Sequence, residues 1–375
     1  MTSYRKIALL LLVSLLFSCA GRPPVLDREP EKPAPDYLTI IAAGDNLYHT
    51  PMIKDGEEGD YETSYREIRS LVKDADIAFI NQETLLGGKA FGFSGYPQFN
   101  SPQQLGRAIA ALGFDVVNHA NNHVMDKGEK AVITTLDFWE AFPGVKILGI
   151  HRSKEQRRRP VLVKKNNITV GFLAYTYGTN GIPVPGDKPY LVSLANTGVM
   201  SEEIDAIRPL CDVLVVSMHW GDEYQHMYNK TQENLAAFLA EHQVDLVIGH
   251  HPHVIQPVEH IQRPDGKSMV CFYSLGNLLS AQTQTPTFPG AMAYIRIKKD
   301  GEDAFVFEEV GAIPLVNHYE KDYSVFTVYP LYAYTEELMN KHWKNQWKKE
   351  VTIDSMKSLT AKVFGDKEIK YNPFR

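Results

Sequence analysis

The run Gly249-His250-His251-Pro252-His253 packs three imidazoles into four positions at the end of an apolar stretch, Val244-Asp245-Leu246-Val247-Ile248. Imidazole is the commonest metal ligand at neutral pH, and histidines at alternate positions of a turn can be aimed at one ion or at two neighbours. A solvated polar loop is the alternative; the clustering at a strand end favours a metal site. Further donors follow other apolar runs: Asp45 after Tyr37 to Ala43, Glu83 after Asp76 to Ile80, Asn122 and His123 after Phe114 to Val117, and His219 after Asp212 to Met218. Without His123, these groups form a mixed oxygen and nitrogen set that suits Zn, Mn or Fe better than Mg or Ca. They are more than one ion needs, so the expected cofactor is one or two divalent transition metal ions. In the two-ion case Glu83 is the bridging carboxylate, and the pair activates a water between the metals and stabilises an oxyanion. His123, beside Asn122, is placed to protonate a leaving group.

These donors must be carried by regular elements. Helical patterns cover Glu62 to Asp74, Asp126 to Phe142 and Thr231 to Gln243, and a further helix begins at Ser201. Ser101-Pro102 caps another that carries Leu105, Ile109 and Leu112. Between them lie the strands named above, another at Val145 to Ile150, and a hairpin from Pro160 to Tyr177 turning at Lys164 to Asn167. The Gly- and Pro-rich loop from Gly178 to Pro189 is placed as a lid. Strands follow at Val254 to Ile261, Ser268 to Leu275, Ala291 to Lys298 and Ala304 to Val310. The alternation implies βαβ units and a largely parallel sheet, with the later β-only stretch forming or completing a second sheet. Ligands of open α/β folds bind at the carboxyl ends of strands, and by this reading all the donors share that edge.

Composition narrows the function classes. The 375 residues are 44% hydrophobic and 11% aromatic, enough for a large core, and the net charge of -6 gives no field suited to nucleic acid. The only basic run, Arg157-Arg158-Arg159, reads as a solvated turn. Cys211 and Cys271 read as buried free thiols. At the N-terminus Arg5 and Lys6 precede an apolar stretch, Ile7 to Phe17, with the proportions of a secretory signal. Leu16-Phe17-Ser18-Cys19 resembles a bacterial lipobox, which implies a lipoprotein signal over residues 1–19 and a lipid on Cys19. A signal peptide cut near Ala20, or a retained anchor, are the alternatives. Residues 20–36 are a Pro-rich tether, so the chain is expected to be exported and lipid-anchored to a bacterial membrane, inner or outer. A main domain over 37–315 and a C-terminal appendage over 316–375 complete the division, the appendage bearing a strand at Tyr323 to Tyr329 and a Lys- and Trp-rich helix at Glu336 to Glu350.

Six motifs in order carry a resemblance. Gly44-Asp45, Asn81-Gln82-Glu83, Ala120 to Gly128, His219 to Tyr224, Gly249 to Gln256 and Tyr273 to Asn277 resemble the bacterial capsule-synthesis family of CapA type, over about Tyr37 to Leu279. That resemblance implies a four-layer α/β sandwich of the calcineurin-like metallophosphoesterase type and a link to poly-γ-glutamate capsule. It implies Asp45, Glu83, Asn122, His219, His251 and His253 as metal ligands. Asn118, Asp126, Trp220, Glu223, Tyr224, His250, Gln256 and Asn277 are placed by it around them or along the cleft, with Asp126 anchoring its loop. Three departures stand out: Leu47 occupies the place of the imidazole in the phosphoesterase Asp-x-His, Gln82 replaces a Leu, and Val124 stands where the phosphoesterase Asn-His pair is followed by a carboxylate. The first leaves one of two ions short of a ligand. The function implied is a metal-dependent hydrolase acting on a phosphoester or γ-glutamyl polymer, or else a non-catalytic subunit that binds or exports the polymer beside other capsule-synthesis membrane subunits.

Overall fold

Period-two alternation in the first strand fixes which face meets which layer: Leu38, Ile40 and Ala42 pack into one core, Ile41 and Ala43 into another. The structure, a computed structural model, describes residues 37–375 apart from 302–303, 324 and 344–350. The expected signal, lipobox Cys19 and tether lie outside the described residues, as does the far part of the Lys- and Trp-rich helix.

In chain order the elements are β1 (Tyr37–Leu47), α1 (Arg69–Asp74), β2 (Ile77–Gln82), α2 (Gln103–Leu112), β3 (Val116–Asn118), α3 (Gly128–Trp139), β4 (Lys146–Leu148), α4 (Lys154–Arg157), β5 (Val161–Lys165) and β6 (Ile168–Thr176). They continue with α5 (Thr197–Ile207), β7 (Val213–His219), α6 (Lys230–Glu241), β8 (Leu246–His250), β9 (Val258–Gln262), β10 (Ser268–Phe272), β11 (Asn277–Ser280), β12 (Pro289–Lys299), β13 (Phe305–Tyr319), β14 (Phe326–Pro330), α7 (Glu336–Lys341) and α8 (Ile353–Phe364).

One sheet runs β14-β13-β12-β1-β2-β3-β4, with β11 also pairing β1; the other runs β5-β6-β7-β8-β10-β9. The two face each other across a core built from Phe79, Val116, Val215 and Ile248 among others. On the outer face of the first sheet, Leu71 of α1, Ile109 of α2 and Phe138 of α3 join a second core; on the outer face of the other, Ile204 of α5 and Leu239 of α6 join a third. The result is the expected four-layer α/β/β/α sandwich.

Local differences have local causes. The helix expected from Ser201 begins at Thr197, because Asn196 accepts a hydrogen bond from the Val199 amide and caps it earlier. Pro257, which has no N–H to give a ladder, holds β9 back to Val258 rather than Val254. The expected helix at Glu62 to Asp74 is a 3₁₀ turn, Thr63–Ile68, followed by α1. Of the late strands only β9 and β10 complete the second sheet; β12, β13 and β14 extend the first beside β1. β11 was not foreseen, and β13 runs on to Tyr319, across the boundary drawn at residue 315.

Candidate metal centre

Strand pairing brings the donors to one edge. Asp45 lies opposite Asn81 of β2 and Asn277 of β11, Asn81 lies opposite Asn118 of β3, and His219 lies opposite His250 of β8. The approach is close enough to demand glycine: a Cβ on Gly44 would stand 2.0 Å from the Gly276 carbonyl oxygen, and one on Gly249 would stand 2.0 Å from that of Tyr273. Beyond Gly249 the chain holds His251 at φ 98° and His253 at φ 57°, a left-handed region that non-glycine residues enter at a cost.

Glu83, His251 and His253 each offer a ligand atom within 4.8 Å of the others, the one such group among the described residues. Glu83 Oε1 is 3.6 Å from His219 Nε2 and 3.9 Å from His253 Nε2. Both Glu83 carboxylate oxygens are buried without a hydrogen bond, as are His219 Nδ1 and His251 Nδ1. A buried carboxylate left without partners is costly, and four orphaned donor atoms on facing side chains are what a cation would satisfy. Charge tells the same story. Burial and then the Asp45 carboxylate push the Glu83 carboxyl well above its usual range. Burial works to lower His253, but Glu83 and Asp45 carry it up to about 9. Burial holds His219 well below its usual value and takes His251 down to about 3, with the neighbouring imidazoles adding to both shifts. Neutral imidazoles and ionised carboxylates are the forms that bind metal, and a divalent cation between these groups opposes the upward shifts of Glu83 and His253. The residues therefore fit a divalent metal ion.

Asp45, expected as a ligand, already has both oxygens engaged. Oδ1 accepts from Asn81 Nδ2 at 2.8 Å; Oδ2 accepts from the His251 amide at 3.1 Å and lies 3.2 Å from His253 Nδ1. It orients His253 in the manner of the carboxylate that commonly backs a metal-binding histidine. Asn118 donates to Asn81 Oδ1 at 2.9 Å, so an amide relay across three strands holds Asp45 in place. Asn277 Oδ1 is 3.1 Å from His253 Nδ1 and completes that cradle. His250 stacks on Phe79 and sits 3.5 Å from Asp45 Oδ1, behind the triad.

Asn122 Oδ1 is 2.9 Å from His219 Nε2, which ties the Asn-His turn to the other sheet. Asp126 Oδ2 is 2.8 Å from His123 Nδ1 and accepts the Phe99 amide, anchoring the loop as expected. Gln82 takes no part in the triad; its carbonyl accepts from Asn121 Nδ2 and steadies the same turn. Tyr224 lies 6.3 Å, ring to ring, from His253, and Glu223 beside it is exposed at the rim. Two expected cleft residues lie elsewhere. Trp220 is buried in the core beneath the second sheet, its indole donating to the Tyr273 carbonyl, because its side chain alternates away from that of His219. Gln256 is fully buried and spans Gln232 and the carbonyls of Gln225 and Met227, holding the loop between β7 and α6.

Two residues not singled out from the sequence border the centre. The half-exposed Tyr177 ring lies 4.8 Å from that of His251, and Asn180, at φ 50°, accepts from Asn122 Nδ2 at 3.2 Å. Both flank the start of the loop at 178–189, which is pinned at its far end by Lys188 on Glu129.

The chain is a four-layer α/β sandwich with imidazoles and a bare carboxylate gathered at its strand ends, a set that could hold a metal ion. More particularly, the chain belongs to the family described as bacterial capsule synthesis protein PGA_cap, whose model matches residues 39–282. It is 30% identical over 201 residues to the PGA biosynthesis protein CapA of Bacillus subtilis (strain 168), which is 53% of this chain and 51% of that one. It is 29% identical over 294 residues to the capsule biosynthesis protein CapA of Bacillus anthracis, 74% of this chain and 67% of that one. The chain thus spans about half the length of the first relative and two thirds of the second. Among solved structures, the NAD nucleotidase of Haemophilus influenzae superposes with a TM-score of 0.46 at 9% identity, covering 86% of this chain and 66% of that chain.

Proposed function

We propose that this protein is a metal-dependent hydrolase of the cell envelope, acting on a phosphoester or on the γ-glutamyl bonds of an anionic capsule polymer. The observation that carries the reading is the Glu83 carboxylate, buried and unpaired among His219, His251 and His253. In this reading those four side chains hold a divalent transition metal, Zn, Mn or Fe, with Asn122 beside them. When bound, such an ion supplies Lewis acidity and an activated water. Asp45 keeps His253 oriented, and His123, fixed through Nδ1 by Asp126, gives a proton from Nε2 to the leaving group. The names of the two Bacillus relatives support a place in capsule synthesis. Export and a lipid anchor at Cys19 rest on the lipobox-like run Leu16-Phe17-Ser18-Cys19, and work beside other capsule-synthesis membrane subunits is part of the same proposal.

A second reading, a subunit that binds or exports the polymer without cutting it, is favoured by one observation. Leu47, buried in β1, stands where a second ion would need an imidazole. The two readings separate on the purified full chain by metal analysis and by turnover of an aryl phosphate and of γ-glutamyl polymer. About one equivalent of bound metal is expected, with turnover that His251→Ala abolishes. Turnover that is unchanged in His251→Ala, in protein without metal, overturns the hydrolase reading.

A further inference from the structure

The basic run at Arg157 to Arg159 is more than a solvated turn. Together with Lys154 it forms one wall of a groove of about 650 Å³ that runs between α4 and α5. Arg157 is built into that wall: its Nε is 2.6 Å from Glu203 Oε1 and its Nη1 donates to the Pro189 carbonyl, while Tyr175 takes the other Glu203 oxygen. Lys154, Arg158 and Arg159 are exposed and make no ion pair among the described residues. Glu155, on the same turn, is within electrostatic reach of Lys154 and Arg158 but does not line the groove. With Arg157 and Glu203 cancelling, three cations face one lining carboxylate, Glu202, in a chain whose net charge is -6. The lining also includes apolar side chains, with Leu194, Val199 and Leu210 all left exposed. A second cavity of about 470 Å³, beside β4 and β5, shares Arg159 and Pro160 with the first and so continues the concave surface past the arginines.

The groove reaches the metal centre through the backbone. Leu194 bridges Thr176, whose carbonyl accepts the Ala195 amide at 2.8 Å, and the next residue is Tyr177, the ring against His251.

We propose that this groove binds an extended polycarboxylate chain, one whose carboxylates are spaced by methylenes as in a γ-linked glutamyl polymer. The inference rests on the reading of the protein as acting on capsule polymer. The cationic wall matches the carboxylates, and the exposed Leu194, Val199 and Leu210 match the methylenes between them. A bilayer surface carries negative charge too, but it is flat, and the cations here line a concavity.

The test uses the full chain and a fluorescein-labelled poly-γ-glutamate, with anisotropy read at several salt concentrations and vesicles of phosphatidylglycerol as the second probe. The polymer binds the wild type with an affinity that falls as salt rises, and Arg158→Glu/Arg159→Glu weakens it by about tenfold at 0.1 M salt. Both side chains are exposed, so thermal stability, metal content and aryl phosphate turnover stay unchanged. Equal polymer affinity in the double variant overturns the proposal whatever the turnover, as does absence of polymer binding by the wild type. Vesicle binding that the double variant loses while polymer binding persists overturns it in favour of a membrane surface. Polymer binding that the double variant loses, in a protein without metal or turnover, supports the groove and sinks the hydrolase reading alone.

Discussion

A carboxylate buried without a hydrogen bond is an expensive thing for a fold to keep, and Glu83 is fully buried with both oxygens bare. The cost is recovered only when a cation is present, which makes its removal informative in both states. In chelated full-length protein Glu83→Gln leaves the thermal midpoint unchanged or raises it, since the amide replaces a buried carboxyl that has no hydrogen bond to lose. With metal at a hundredfold excess over its dissociation constant, the wild type gains about 2.7 kcal/mol and Glu83→Gln does not. Scanning calorimetry with and without added Zn measures both; an equal metal-induced shift in the two proteins excludes Glu83 as a ligand. The residue types were legible from the sequence: carboxylate, amide and imidazoles after apolar runs. Their division of labour was not, because it depends on which lone pairs neighbours already occupy. Asp45, expected as a ligand, also braces its neighbours, through contacts with Asn81, the His251 amide and His253 that no spacing announces. Tyr177 and Asn180 carried no spacing signal, since one is among 19 tyrosines and the other is marked only by a backbone angle.

At the scale of elements, the strand ends are held together by backbone contacts that leave no room for side chains. Gly249→Ala places a methyl 2.0 Å from the Tyr273 carbonyl, between β8 and the segment following β10. Separation of those backbones moves His251 and His253 with it. The expected outcome is a loss of about 2–4 kcal/mol in urea unfolding together with loss of bound metal. A variant of wild-type stability and metal content would show that the edge tolerates displacement. The elements themselves read well from periodicity, since the faces of β1, α2 and α6 follow from alternation and helical spacing. Neighbours across a sheet did not. Alternation says which side of a strand is buried and nothing about its partner, so β12 and β13 read as part of a second sheet and β14 as part of an appendage, whereas all three extend the sheet of β1.

At the scale of the molecule, the C-terminal segment is woven into the sandwich. β14 pairs with β13 from Leu315 to Tyr319, Phe364 of α8 packs into the core between the sheets, and Ile369 packs into the core outside the first sheet. Truncation after Leu315 strips the last residues of β13, leaves an apolar edge and opens two cores. The truncated chain is expected to be aggregated or unfolded by size-exclusion chromatography and circular dichroism; a monodisperse folded product would establish 316–375 as a separate appendage. An appendage was the natural reading because the family motifs end near Leu279, while the packing that unites the parts is written in scattered aromatic and aliphatic residues without a motif.

β1 changes partners at Gly44. Up to Ala43 it pairs antiparallel with β12, and from Asp45 it pairs parallel with β11, so the residue that braces His253 sits in the fork between two late strands. A ribosome makes Asp45 more than two hundred residues before it makes Asn277. The centre is therefore closed by long-range pairing, which pays its loop-closure entropy late in folding. A fragment ending before Asn277 lacks the β11 pairing that flanks Asp45, so the strand-end cluster is complete only once most of the chain has been made.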